Sequence, residues 1–162
     1  MKVRNVHSRK IRDPHRRLRE LFATLATKAD KIWPVEDWPA MRLNRGLAIG
    51  SSGGHGPIRY AVVDYRPARC VRFRFQQPAG FVGFHEFEIR EVDADFVELS
   101  HTLAMDTTGT ATLYWSLVIR WLHDALIANA LDKVENQLTG SHRKTEWSAW
   151  VKLWRWILSS RG

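Results

Sequence analysis

Two histidines stand among apolar neighbours where they could do chemistry: His85, in phase with Phe81 and Phe87, and His101, between Leu99 and Leu103. Imidazole titrates near neutral pH, so a pair facing one interior can move protons or anchor a polar ligand group. Histidines in such places also serve as hydrogen-bonded core residues, and both readings stand. If the turn joining their strands is a three-residue loop around Asp93, the two face each other directly, with Cβ atoms roughly 5 Å apart. Two histidines are an incomplete ligand set for a metal ion, and no inward Asp, Glu or Cys is evident beside them. Neither a metal nor a cofactor is expected. No catalytic residue is assigned; His85 and His101 are the candidates.

The elements that must position them read clearly. Ile58–Tyr65, Cys70–Gln77, Phe81–Val92 and Phe96–Met105 alternate apolar and polar residues, the mark of half-buried antiparallel strands. Tyr60, Val62, Phe73, Phe75, Phe81 and Phe87 share the inward phase with the histidines and are candidate ligand-binding residues, Tyr60 with a hydroxyl to offer. A one-residue slip would exchange the faces. A filled core and an open cavity both satisfy the pattern. Arg72, Arg74 and Arg90 fall on the opposite face, as solvated residues do.

Upstream, Val3–Ile11 reads as a first strand, and Asp13-Pro14 as a helix start before the Leu18, Leu21, Phe22, Leu25 stripe. A second helical turn is expected over Lys28–Ile32. Trp33-Pro34 and Trp38-Pro39 form an aromatic-proline stretch that either walls a pocket mouth or plugs one end of the core. Leu43–Ile49 reads as a strand. Ser51–Pro57 reads as a loop, with His55 exposed in it; its glycines lack the Gly-Lys-Ser/Thr of a phosphate loop. After Met105 a helix of about Leu113–Leu138 carries Leu117, Trp121, Ala125, Ala128 and Leu131 near one face, with Val118 and Leu122 widening the stripe. Trp121 therefore joins the candidate ligand-binding residues.

Bulk properties narrow the classes. A chain of 162 residues, 44% hydrophobic and 26% charged, suits one folded domain. No run of eighteen apolar residues suggests a spanning helix. The charged N-terminal segment does not read as a signal peptide, and a single cysteine, Cys70, allows no internal disulfide. A cytoplasmic protein is expected. The net charge of +8 is concentrated in the first nineteen residues. No zinc-finger pattern or recognition-helix signature accompanies it, so no specific nucleic-acid partner is expected.

The order of strand, helix pair, six-stranded meander and long helix resembles the helix-grip fold of the START-like superfamily, polyketide cyclase/dehydrase-like proteins among them. The matching residues are the opening strand with Asp13-Pro14, the Trp33-Pro34 start, the strand Phe81-Val-Gly-Phe-His-Glu-Phe-Glu-Ile89 and the Leu113–Leu138 helix. The resemblance implies an α+β fold: a curved antiparallel sheet wrapped around a long C-terminal helix, with two short helices after the first strand. It covers residues 1–138. It also implies a small hydrophobic or aromatic ligand between sheet and helix, and in some relatives cyclisation or dehydration there. No catalytic motif carries over.

Residues 139–162 form a linker and a tryptophan-rich amphipathic helix, with Trp147, Trp150, Val151, Trp154, Ile157 and Leu158 at helical spacing. Such a helix packs on its own domain, forms a homodimer contact, or lies on an anionic membrane surface. Three functions follow: carriage of a small apolar molecule, a cyclase/dehydratase-like enzyme using His85 or His101 as acid/base, or a non-catalytic interaction module acting through the basic surface and the terminal helix.

Overall fold

In the computed structural model, which describes residues 1–159, the alternating segments become seven antiparallel strands: β1 (Lys2–Arg12), β2 (Arg42–Leu47), β3 (Ser52–His55), β4 (Ile58–Arg66), β5 (Cys70–Gln77), β6 (Phe81–Glu91) and β7 (Phe96–Thr107). They form one sheet in the order β1-β7-β6-β5-β4-β3-β2. The meander runs outward from β7, and β1 returns to pair with β7 from Lys2↔Asp106 to Arg12↔Phe96. Odd-numbered residues of β1 and β7 face inward, as the period-2 pattern requires. The sheet curves around the long helix that follows it, the α+β arrangement expected from the sequence.

The expected loop at Ser51–Pro57 is instead built around β3. Its two glycines are what make pairing possible. A Cβ on Gly53 would lie 1.8 Å from Arg42 O, and one on Gly54 would lie 1.9 Å from Ile58 O. Glycine reads as a loop signal in sequence, but here the neighbouring backbones approach too closely for any side chain.

Between β1 and β2 the chain is organised by two carboxylates. Asp13 accepts hydrogen bonds from the amides of Arg17 (3.0 Å) and Leu18 (2.7 Å), but the helix expected to start at Asp13-Pro14 begins later, as α1 (Leu18–Phe22), with no side-chain cap. Asp30 accepts from the amides of Ala26, Ile32 and Trp33, at 2.7, 2.8 and 2.7 Å. Those bonds hold Lys28–Ile32 in turns rather than the expected helical turn, because the side chain takes the amides that a helix would use.

The long helix comprises α2 (Thr110–Tyr114), a π-helical turn (Trp115–Ile119) and α3 (Arg120–Thr139). Its buried face carries Val118, Leu122, Leu126, Ile127, Leu131, Val134 and Leu138. Leu117 and Trp121 point outward; Trp121 is 43% exposed and donates its indole N–H to Ser116 O. Of the expected stripe, Val118, Leu122 and Leu131 are buried as read, and Leu117 and Trp121 are corrected to the outer face. The helix bears apolar residues on two adjacent stripes, and periodicity cannot tell which one the sheet will take.

Gly140, in the left-handed region at φ 72°, ends the helix. The chain then reverses, and α4 (Ala149–Ser159) packs back on the domain. Val151 is 3% exposed, and Trp147 and Trp154 rest against the core. The indoles of Trp38 and Trp147 both donate to Asn129 Oδ1, at 3.0 and 2.7 Å. Among the described residues no helix is long and apolar enough to cross a membrane.

Candidate functional site

A cavity of about 370 Å³ lies between the sheet and the long helix. Phe75, Phe81, His85, His101 and Leu103 line it from the sheet, and Trp115, Ile119, Leu122, His123 and Leu126 from the helix. Trp33 and Trp38 contribute from the segment between α1 and β2, His55 from the end of β3, and Arg155 and Leu158 of α4 border it as well. The volume is in the range of small-molecule sites, and the walls are mostly apolar with a few polar groups. Trp33 and Trp38 are at once buried core residues and cavity wall, so the two expected roles coincide.

Of the candidate ligand-binding residues, Phe75, Phe81, His85 and His101 are on the wall. Tyr60, Val62, Phe73 and Phe87 face inward as expected but lie in the packed core and do not line the cavity. Tyr60 packs edge-on to Phe73 with ring centres 5.0 Å apart, and Trp33 meets Phe87 at 6.5 Å; these contacts fill the space over that part of the sheet. Trp121 lies outside the cavity, on the outer stripe of the helix.

The histidines meet, though in a register different from the one expected. Asp93 Oδ1 accepts the amides of Asp95 and Phe96, and the resulting loop leaves Glu91 opposite Val97. The turn is centred on Ala94 rather than Asp93, which moves β7 along by two residues: His101 sits opposite Phe87, and His85 opposite Leu103. The rings bridge the diagonal, with His85 Nδ1 3.3 Å from His101 Nε2. Each neutral imidazole carries one N–H and one lone pair. Whichever ring donates across the pair, the two remaining nitrogens, His85 Nε2 and His101 Nδ1, are therefore one donor and one acceptor. Neither has a hydrogen-bond partner.

Burial keeps these rings neutral. It drives the His85 and His101 pKa values well below the ordinary histidine value, and neighbouring histidines push the same way. His55 is pushed down to about 3, again chiefly by burial. It is not the exposed loop residue expected: its Nδ1 lies 3.0 Å from the Tyr60 hydroxyl and its ring 4.7 Å from that of Trp33. Burial raises the Tyr60 hydroxyl well above the usual phenol value, so Tyr60 stays protonated.

His123 and Arg155 are the site residues that sequence reasoning passed over. His123 follows Leu122 on the helix and meets His101 with ring centres 5.0 Å apart. Its proximity to the inward stripe was the available signal. The Arg155 guanidinium lies 4.4 Å from the Trp38 ring centre and 4.1 Å from that of Trp147. It offers a cation at the cavity's edge, and nothing in the spacing of α4 distinguishes it from a solvated arginine.

This sheet, helix and cavity can be compared with known proteins. No family model and no curated protein matches the sequence. Solved structures do match in three dimensions. A solution structure from Thermobifida fusca shares 14% identity at a TM-score of 0.64, over 88% of this chain and 99% of that one. Norcoclaurine synthase of Thalictrum flavum, a point mutant in complex with a transition-state analogue, shares 8% identity at 0.61, over 85% and 96%. This is the helix-grip fold. The Aha1 dimer from Colwellia psychrerythraea has the same helix-grip architecture, with 15% identity at a TM-score of 0.56 over 86% of this chain and 99% of that one. At such identities the likeness is one of fold, and chemistry must be argued from the residues of this helix-grip chain itself.

Proposed function

We propose that this helix-grip domain binds a small hydrophobic or aromatic molecule in the cavity between sheet and long helix. The observation that carries the reading is the cavity of about 370 Å³ walled by Phe75, Phe81, Trp33 and Trp115, with His85 and His101 among its lining. Aromatic walls stabilise a flat apolar ligand by burial and ring contacts. The unpartnered donor and acceptor of the histidine pair favour a ligand carrying a polar substituent such as a hydroxyl or carbonyl. The norcoclaurine synthase neighbour, solved with a transition-state analogue, supports a ligand role for this fold.

The same pair favours a second reading, an enzyme of the cyclase/dehydratase kind. An acid/base catalyst needs an imidazole nitrogen free to exchange a proton, and His85 Nε2 and His101 Nδ1 have no hydrogen-bond partner. His85 and His101 are the residues that would exchange a proton with the bound molecule.

Native mass spectrometry of freshly purified protein, with a denatured control, tests the first reading. Excess mass that disappears on denaturation is the expected result and gives the ligand's identity. Titration with 8-anilinonaphthalene-1-sulfonate is the companion test, with saturable enhancement expected in the wild type and lost in Ile119→Trp, which fills the cavity. Neither excess mass nor saturable probe binding would overturn the reading. Once a ligand is in hand, turnover lost in His85→Phe with binding retained would support the enzyme over the carrier.

A further inference from the structure

On the side of His101 away from His85, a second polar cluster joins β1 to α3. His7 Nε2 lies 3.0 Å from Asp124 Oδ1. His123 Nδ1 lies 3.6 Å from the same oxygen. One ligand atom from each of the three residues falls within 4.8 Å of the others. Tetrahedral ligands held about 2.0–2.1 Å from a zinc ion stand about 3.3–3.4 Å from one another. The two shorter spacings bracket that value, so the cluster closes on an ion with small side-chain movements.

Two further observations point to a missing partner. His123 Nε2 is buried without a hydrogen-bond partner, and Nδ1 has only the 3.6 Å approach to Asp124 Oδ1, which is costly for a group that could simply have been apolar. In addition, Asn5 Nδ2 donates to Asp124 Oδ1 at 2.8 Å, the kind of supporting bond that orients a ligating carboxylate. Arg120, with Nε 3.9 Å from Asp124 Oδ2, attends the other oxygen.

We propose that His7, His123 and Asp124 form a site for a divalent first-row transition metal ion, zinc by the chemistry of its donors. His7 Nε2, His123 Nδ1 and Asp124 Oδ1 are the protein ligands, and water completes the shell. Two imidazoles and one carboxylate are a borderline donor set that suits zinc and disfavours calcium or magnesium, which take oxygen shells. His123 also borders the cavity, so the ion would sit beside the cavity wall. The proposal does not depend on the identity or existence of a cavity ligand.

Calorimetric titration of zinc chloride into chelator-treated full-length protein tests it, together with side-chain NMR of the histidines. One equivalent of zinc is expected to bind, moving the His7 and His123 ring resonances and leaving those of His142 in place. His7→Gln, His123→Gln and Asp124→Asn are each expected to weaken binding at least about tenfold, the loss typical even for supporting residues of such sites. His142→Gln is expected to leave it unchanged. His7 is half-buried at the sheet edge, so His7→Gln keeps the test open if another variant fails to fold. The absence of stoichiometric binding by the wild type, or an unchanged affinity in the folded variants, would overturn the assignment.

Discussion

His85 Nδ1 and His101 Nε2 lie 3.3 Å apart across a diagonal of β6 and β7, in an interior where each ring has one further nitrogen without a partner. The pair is a shared hydrogen bond between two neutral rings. Its strength is not set by either residue alone.

Removing one ring should therefore cost more than half of removing both. His85→Phe or His101→Phe leaves the other histidine with a buried unpaired nitrogen, a loss of about 1–3 kcal/mol. His85→Phe/His101→Phe removes both groups and should be less destabilising than the two single losses added. Urea unfolding of the three variants supplies the cycle. Strict additivity would mean that the rings do not share a bond.

Acid should unfold the protein early. His55, His85 and His101 have folded-state pKa values below the ordinary 6.5, with His55 at about 3. Below pH 6.5 the unfolded chain takes up protons at these positions and the folded chain does not, so stability falls as pH falls. Each such histidine contributes a slope of up to about 1.4 kcal/mol per pH unit in that window. Urea midpoints of metal-free protein between pH 7.5 and 4.5 should decline steadily. A flat profile down to pH 5 would show that the rings protonate in place.

Asn129 joins the terminal helix to the Trp38 segment. Its Oδ1 accepts the indole N–H of Trp38 at 3.0 Å and that of Trp147 at 2.7 Å. Asn129→Leu strands both donors and should cost about 2–4 kcal/mol. Asn129→Asp keeps the acceptor and should cost less. Equal losses in the two variants, measured by thermal unfolding, would deny the bridging role.

Asp30 should matter more than its place in an irregular segment suggests. It is buried and accepts three backbone amides, at 2.7 to 2.8 Å. Asp30→Ala should destabilise by about 2–4 kcal/mol and loosen Trp33 at the cavity wall, read as faster hydrogen exchange at the Ile32 and Trp33 amides. Exchange unchanged from wild type would refute this.

The sequence by itself determined the α+β class, the first strand, the inward phase of β4 to β7, the long helix after them, and an amphipathic terminal helix. These follow from period-2 and period-3.6 patterns, which are local properties of the chain. Asp13-Pro14 was legible only in part: Asp13 does take the free amides of Arg17 and Leu18, but the helix begins at Leu18, after a turn, and has no side-chain cap. Tertiary structure alone decided the rest. The loop after Glu91 set the register that places His101 diagonal to His85, and backbone proximity turned Gly53-Gly54 into strand. Packing chose the Leu122 stripe of the helix over the Trp121 stripe, because the sheet can cover only one of two similar faces. His7 and Asp124 are 117 positions apart in the chain. Closure of β1 onto β7 beneath α3 brings them together, and no spacing rule along the sequence anticipates a contact made that way.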